Sequence, residues 1–531
     1  MKKNIIKILF ISASMLTGGL VMNSCQDSID IVQEGEAYES QITTVSQLTS
    51  YLTGSVYNLL EPTNANYLTA VLTDEVAPGV GSGGQEFQLH RFFLDSNDTY
   101  TSNIWANNYL VINRINHLLE VAKHVTPAND PEKVTYNKAI AQARAIRAYC
   151  YLQLETYFST DMKNDSALGV MWLEGVPADI FNFSSPRLTN KAIYDLVNAD
   201  LTYARSILPY MKDDIISATT NPAPLNSMSR FFASKDFVNA VAARYNLYSG
   251  KYALAKQYAQ DVVTNVNFAL TLATPMTSTA APTIGNATWN AAWYNTSTAF
   301  NPYRRMWGDL DRGEVIFSLN RLATGAGGAI GTFYNTNASN ITGNPMWFWG
   351  KNLYNQFNVG GDVRKYAYLD PTSNAYIQQG YDYFVVDKFP GKPGSATRND
   401  VKVFRLSEMY FILAEAAVEE GDFTQAATYI NNVRTARRYT GTPTTPVYTN
   451  KQIAYADILK ERRIELALEG HRYIDLKRLA TTAGVTMDRN EADDIVTVSN
   501  LPNGSYKYTL PIPLAEITGN PAMAGQQNPG Y

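Results

Sequence analysis

Apolar side chains in the segment 104–121 fall at Ile104, Tyr109, Ile112, Ile115 and Leu119, close to the spacing that lines them along one face of an α-helix. The same period runs through 141–158, 191–208, 236–249 and 252–263. It predicts a mainly α-helical protein. Between Thr274 and Asp400 the period is lost, and Gly, Asn, Thr and Pro become frequent. The run "LATGAGGAIGTFYNTNASNITGNP" from Leu322 follows neither a helical nor an alternating pattern. Irregular stretches of this length in a compact protein usually carry function. The pattern therefore divides one body, 42–531, into a helical scaffold (42–273 and 401–480) and a loop-rich binding part (274–400).

Two helical stretches repeat one another. "ARYNLYSGKYALAKQYAQD" from Ala243 aligns without gaps on "AEAAVEEGDFTQAATYINN" from Ala414, so that Gly250 matches Gly421, Tyr252 matches Phe423 and Ala255 matches Ala426. A glycine lets the chain reverse after the first helix, an aromatic fills the corner, and a small residue lets the second helix pack closely. This is the logic of tetratricopeptide-type helix pairs. Two recognisable copies are too few for a regular array, so the remaining pairs must be degenerate.

Composition adds three constraints. With 45% hydrophobic and 17% charged residues the chain has ample material for a core, far from the balance of disordered chains. A net charge of -4 leaves no basic footprint for nucleic acid. Aromatics are abundant at 35 Tyr, 21 Phe and 7 Trp, and five of the tryptophans (Trp289, Trp293, Trp307, Trp347 and Trp349) lie in the loop-rich part. Rings of this kind suit flat, partly polar ligands such as sugars, and they equally suit helix interfaces.

The first residues read as an export address. Lys2, Lys3 and Lys7 precede an apolar run, Ile8 to Val21, and Cys25 follows. The run is too short to cross a bilayer, which takes about 20 residues, and it reads as a signal peptide over 1–24. Met22, Asn23 and Ser24 ahead of Cys25 resemble a lipobox, with Met where Leu is usual. On this reading Cys25 carries a lipid and 26–41 is a tether; the alternative is an ordinary secretory signal with Cys25 incidental. Cys150 then has no disulfide partner and reads as a small buried hydrophobe.

Further along, "RLSEMYFILAEAAVEEGDFTQAATYINNVRTARR" from Arg405, "ILKERRIELALEGHRYIDLKR" from Ile458, and the closing "PIPLAEITGNPAMAGQQNPGY" resemble stretches of the SusD/RagB family. "ARAIRAYCYLQLETYF" and "EVIFSLNR" are similar to two more of its elements. The likeness runs in order along the mature chain. It implies a SusD-like fold of four tetratricopeptide-like helix pairs supporting a loop-rich binding part. It further implies a lipid-anchored, non-catalytic outer-membrane protein on the cell surface. Such a protein binds an oligosaccharide or peptide nutrient and delivers it to a SusC-type TonB-dependent transporter, with no cofactor.

Candidate chemistry is sparse. Glu461, Glu465 and Glu469 recur every four residues and share a helical face. A glycosidase needs two such acids flanking a bond, so a glycoside hydrolase on a helical scaffold is one alternative. The interleaved Arg462, Arg463, Arg472, Lys477 and Arg478 favour a structural ion-pair network instead. His90, His117, His124 and His471 form no metal-ligand spacing, and neither a nucleophile elbow nor a phosphate loop is present. A tetratricopeptide-type adaptor for a protein partner is the other alternative.

For binding, two loop regions are singled out. One follows Thr73, Asp74 and Glu75 and contains Phe87, His90 and Arg91; in the family the equivalent loop helps form a sugar site, although the Trp expected there is missing. The other contains Tyr334, Trp347 and Trp349, with Asn335, Asn337, Asn340 and Arg321 to satisfy hydroxyls. The expected ligand-binding set is Asp74, Phe87, Arg91, Trp307, Tyr334, Trp347 and Trp349. An indole in such loops serves either as a ligand platform or as a buried anchor.

Overall fold

The computed structural model describes residues 41–531 apart from 80–82, 177–182, 214–227, 277–300, 323, 326, 335–344, 370–376, 379–380, 383, 393–394, 396–397 and 494–496. The helices are α1 (Val45–Tyr51), α2 (Thr63–Val71), α3 (Phe87–His90), α4 (Thr99–Ala122), α5 (Asp130–Phe158), α6 (Asn190–Ile207), α7 (Lys235–Tyr248) and α8 (Tyr252–Asn265). After these come α9 (Pro302–Trp307), α10 (Lys351–Phe357), α11 (Arg364–Ala367), α12 (Leu406–Glu419), α13 (Phe423–Ala436), α14 (Lys451–Glu465), α15 (Arg472–Ala483) and α16 (Leu514–Gly519). The strands are short: β1 (Val76–Pro78), β2 (Leu168–Met171), β3 (Arg187–Thr189), β4 (Val315–Leu319), β5 (Trp347–Trp349), β6 (Ile377–Gln378), β7 (Tyr381–Asp382) and β8 (Val401–Arg405).

Side-chain oxygens start the main helices. Asp98, Asn129, Thr189, Ser234 and Asn450 each accept a hydrogen bond from a backbone N–H in the first turn that follows, satisfying donors that have no partner within the helix. Helix α5 begins eleven residues before the periodic stretch that predicted it, at Asp130 rather than Ala141. Its first two turns carry Asp130, Glu132 and Lys133 and are largely solvent-exposed, so no apolar stripe marks them.

Helices α7 and α8, and likewise α12 and α13, form the repeated pair. Gly250 and Gly421 take left-handed φ values of 70° and 79°. In both turns the residue after glycine donates back five positions, Lys251 N–H to Asn246 O at 2.8 Å and Asp422 N–H to Ala417 O at 2.9 Å, which is the Schellman closure. Ala255 and Ala426 are completely buried where the second helix meets the first. Helices α4–α5 and α14–α15 pack as further neighbouring pairs, and α8 packs against α12, so the stack runs on through the core. Cys150 is buried in the middle of α5.

The strands join distant segments. Strand β1 pairs antiparallel with β5, placing Val76 opposite Trp349 and Pro78 opposite Trp347. Strand β4 pairs with β8. What fixes these pairs to the helices is a buried charge cluster. Arg405, at the end of β8, contacts Glu314 and Glu465 at 2.8 Å and Glu469 at 2.7 Å. Arg437, just after α13, contacts Glu314 and Glu465 at 2.8 Å, and Arg364 of α11 contacts Glu461 at 2.6 Å. Burial alone would raise the Glu465 pKa, but Arg437, Arg405 and Arg364 outweigh it and hold the carboxyl well below its usual range.

Glycine at two reversals makes a test of this local logic. Nothing lies within 4 Å of a Cβ built on Gly421, whereas on Gly470 (φ +85°) it would meet the Asn66 side-chain oxygen at 2.6 Å. Gly421→Ala is expected to cost about 1–2 kcal/mol from backbone strain alone, and Gly470→Ala distinctly more. Urea denaturation of the two variants checks the order.

Candidate functional site

The pairing of β1 with β5 brings together the two loop regions that the sequence marks separately. Beyond β1 the chain enters the Gly-rich excursion and returns through Glu86, which takes a left-handed conformation (φ 61°) and leads into α3. Phe92 is also left-handed, at φ 64°. Two non-glycine residues in this region within seven positions are costly, and such backbone is retained where the surroundings impose it, often at functional sites. The second of these turns leaves Phe92 buried and Phe93 68% exposed.

Around Glu86 the side chains form a layered cluster. The hydroxyls of Tyr67, from α2, and Tyr100, from α4, both donate to the Glu86 carboxylate. Tyr67 in turn accepts from the Trp347 indole N–H at 2.7 Å, so one chain of hydrogen bonds runs from β5 to the surface carboxylate. Phe333 stacks on Tyr67 with ring centroids 4.2 Å apart. Phe87 lies under the Arg91 guanidinium at 5.5 Å. Glu86, Phe87, Arg91, Tyr100 and Phe333 are each half-buried. Burial, and then the neighbouring Glu86, raise both tyrosines far above their ordinary range and keep them as neutral donors.

The tryptophans stand behind this surface. Trp307 and Trp347 are 0% exposed, and Trp349 and Tyr334 are 1% exposed. The Trp349 indole donates to Tyr368 O at 2.8 Å. Trp307 is covered by the Lys388 ammonium at 4.4 Å and by Phe389 at 5.9 Å, and Tyr334 stacks on Phe389. The expected stacking platforms are thus core anchors in this conformation: each ring face is already occupied by protein. An indole with one polar edge fits a buried, hydrogen-bonded slot as well as a sugar face. Arg321 is similarly committed, donating to Leu60 O at 2.8 Å. Asn335, Asn337, Asn340, Trp289, Trp293 and Cys25 lie outside the described residues.

Asp74 also lies beneath the surface. Its carboxylate takes a two-pronged contact from Arg472 at 2.8 and 2.7 Å, and Arg463 donates to its backbone oxygen at 2.9 Å. Burial opposes ionisation, but Arg463 and Arg472 outweigh it and hold Asp74 well below the usual carboxylate range. Glu75 is different: burial pushes it up to about 7, only partly offset by the Leu468 N–H it accepts from. His90, whose Nδ1 lies 2.8 Å from Val71 O, is held well below its ordinary pKa by burial and by Arg489. These groups pin the base of the loop to α15 and to the segment after it.

In the carboxylate stripe at 461–469, Glu461 and Glu465 are buried and Glu469 is partly exposed. Glu461, Glu465 and Glu469 each sit against arginines and each is held below its usual pKa, the arginine fields outweighing burial. A general acid needs a raised pKa; all three are shifted the other way and are engaged in ion pairs. Among the described residues no group of acidic, histidine or cysteine side chains has the arrangement of a metal site. Of the seven expected binding residues, the structure brings Phe87 and Arg91 to the surface. Glu86, Phe93, Tyr100 and Phe333 join them there without having been anticipated. The signal available was a Phe-Phe pair next to a glycine run, "GSGGQEFQLHRFF".

A frame of stacked helix pairs carrying an aromatic, hydrogen-bonding loop cluster defines a class of binding proteins, and the comparisons name it. Residues 324–531 match the SusD family, and residues 30–233 match a family described as starch-binding associating with outer membrane. The chain belongs to the SusD family. SusD-like protein P2 of Formosa agariphila is 22% identical, over 87% of this chain and 88% of that protein. A SusD superfamily protein from Bacteroides thetaiotaomicron superposes with a TM-score of 0.70 at 22% identity, covering 92% of this chain and 100% of the other. Surface glycan-binding protein A from Bacteroides uniformis gives a TM-score of 0.64 at 18% identity, covering 91% and 99%.

The placement of the indoles has a measurable consequence. Trp347→Ala empties a fully enclosed slot and leaves the Tyr67 hydroxyl without its donor, so a loss of about 3–5 kcal/mol is expected. Phe93→Ala, at an exposed position, is expected to stay within about 0.5 kcal/mol of the parent. Chemical denaturation of both variants reads the difference directly.

Proposed function

We propose that the protein captures a glycan at the outer membrane through the surface cluster of Glu86, Phe87, Arg91, Tyr100 and Phe333, without turnover. The observation that carries this reading is the half-open group of rings around a carboxylate fixed by two tyrosine hydroxyls. A sugar ring offers C–H faces to aromatic side chains and hydroxyls to carboxylates and guanidinium groups. Because Tyr67 and Tyr100 already orient Glu86, its remaining acceptor positions are preorganised for ligand hydroxyls, which lowers the ordering cost of binding. Membership of the SusD family, the family description naming starch and the outer membrane, and a structural neighbour named for surface glycan binding support the same reading.

Within this proposal the helix frame presents the loops on the outside of the cell and passes the oligosaccharide to a SusC-type TonB-dependent transporter. Lipid on Cys25 holds the body at the membrane. No helix among the described residues is long and apolar enough to cross a bilayer. Metabolic labelling with a fatty acid is expected to mark the parent protein and to be lost in Cys25→Ser.

Calorimetric titration against a panel of soluble polysaccharides tests the binding claim. Phe87→Ala, Arg91→Ala and Glu86→Gln are each expected to weaken the best glycan by about tenfold, a change of roughly 1.4 kcal/mol, with unaltered melting and no release of reducing ends. Unchanged affinity in all three variants, or a panel without any ligand, would remove this assignment.

A further inference from the structure

A second recess lies on the helix frame. Helices α6, α7 and α8 leave between them a half-open groove of about 410 Å³, within the range of small-molecule sites. It shares no lining residue with the loop cluster. Thr202, Arg205, Ser206, Tyr210, Lys235 and Tyr258 supply its polar and aromatic lining.

The groove is unbalanced in charge. Among the described residues the groove's half-buried neighbouring carboxylate, Asp261, is heavily shared, and the exposed Asp213 lies three residues beyond Tyr210. Asp261 accepts from the Tyr210 hydroxyl at 2.9 Å, Asn239 at 2.8 Å, Asn265 at 3.2 Å and Arg205 at 3.2 Å. That long contact engages one nitrogen of Arg205, and the other guanidinium donors have no acceptor among the described residues. Lys235 has no carboxylate partner among the described residues either; its ammonium rests over the Tyr210 ring at 4.9 Å. Lys212 approaches the same ring at 5.4 Å. Asp236, a third acid nearby, is completely buried and accepts from Met211 N–H at 2.7 Å. Lys235 also opens the fourteen-residue helix α7, whose positive end adds to the field.

The cations are held in place rather than waving in solvent. Arg205 lies over the Tyr258 ring at 4.8 Å and is tethered by Asp261. A guanidinium held against a ring and a carboxylate loses less freedom on binding, and its fork geometry matches a carboxylate. Thr202 and Ser206 lie on α6 beside Arg205; the Ser206 hydroxyl donates to Tyr203 O at 2.7 Å and keeps its acceptor capacity for a ligand hydroxyl.

We propose that this groove is a second binding site, for a carboxylate-bearing sugar unit such as a uronic acid, with Arg205 and Lys235 receiving the carboxylate. The anion preference stands on the groove alone, while the choice of a sugar acid among small carboxylates rests on the proposed function.

Titration of the full chain with digalacturonate, cellobiose and glutarate tests it, using Arg205→Gln, Lys235→Gln, the double variant and Phe87→Ala. Digalacturonate is expected to bind in the parent, and the part of its binding that survives Phe87→Ala is the part that the groove variants remove. Each single groove variant should weaken it by about fivefold and the double variant by about twentyfold or more, with weaker binding at raised salt. Cellobiose should be indifferent to the groove variants and glutarate should bind less tightly than digalacturonate. An absence of digalacturonate binding, or an affinity unchanged in the double variant, would overturn the site; glutarate binding as tightly as digalacturonate would overturn its assignment to a sugar acid. Because the loop-site variant is carried in parallel, failure of the glycan reading at Phe87 is distinguishable from failure here.

Discussion

The loop-bearing half of this structure leans on the buried charge around Glu465. A buried carboxylate is expensive unless its field and hydrogen bonds are satisfied, and removing one partner of such a pair typically costs about 3–5 kcal/mol. Glu465, the last residue of α14, is satisfied by Arg405 and Arg437 at 2.8 Å each and by Arg364 at 3.2 Å. Those arginines come from the end of β8, from the residue after α13 and from α11. The cluster therefore ties helix pairs close in sequence to one another to a strand pair and a short helix from the irregular part. Hydrophobic packing alone would not specify that register, because many apolar surfaces can slide on one another.

From this clamp the order passes outward in steps. Tyr368 donates to Glu465 O at 3.0 Å and its own backbone oxygen accepts from Trp349. Strand β5 is thereby placed, and through it β1 and the Trp347–Tyr67–Glu86 relay. Asp74, locked to Arg472, fixes the other side of the loop. The surface rings thus inherit their positions from ion pairs that never meet solvent. Rigid elements supporting a polar, aromatic loop are a general arrangement for recognition without chemistry.

The frame could be read from the chain because its cues are local. Helical period, the matched Gly250 and Gly421, and the small residues Ala255 and Ala426 each act within a turn or two, and the same residues close the same turns in the structure. The site was only partly readable because exposure is decided by pairing across long separations. Nothing near Trp347 in sequence says that Val76 to Pro78 will cover it, and an indole suits either environment. Phe87 and Arg91 were marked because they follow a glycine run. Glu86 was not, since its role depends on a left-handed backbone and on tyrosines from two other helices. In the acidic stripe the interleaved arginines are the local sign of pairing, and pairing is what the carboxylates show.

The Glu465 cluster is the source of order for the loop-bearing half. Amide hydrogen exchange on Glu465→Gln measures that most directly. Loss of protection is expected at β4, β5 and β8, with the α7–α8 pair keeping its parent rates. Parent-like protection of those strands in the variant would contradict the claim that this buried charge holds them.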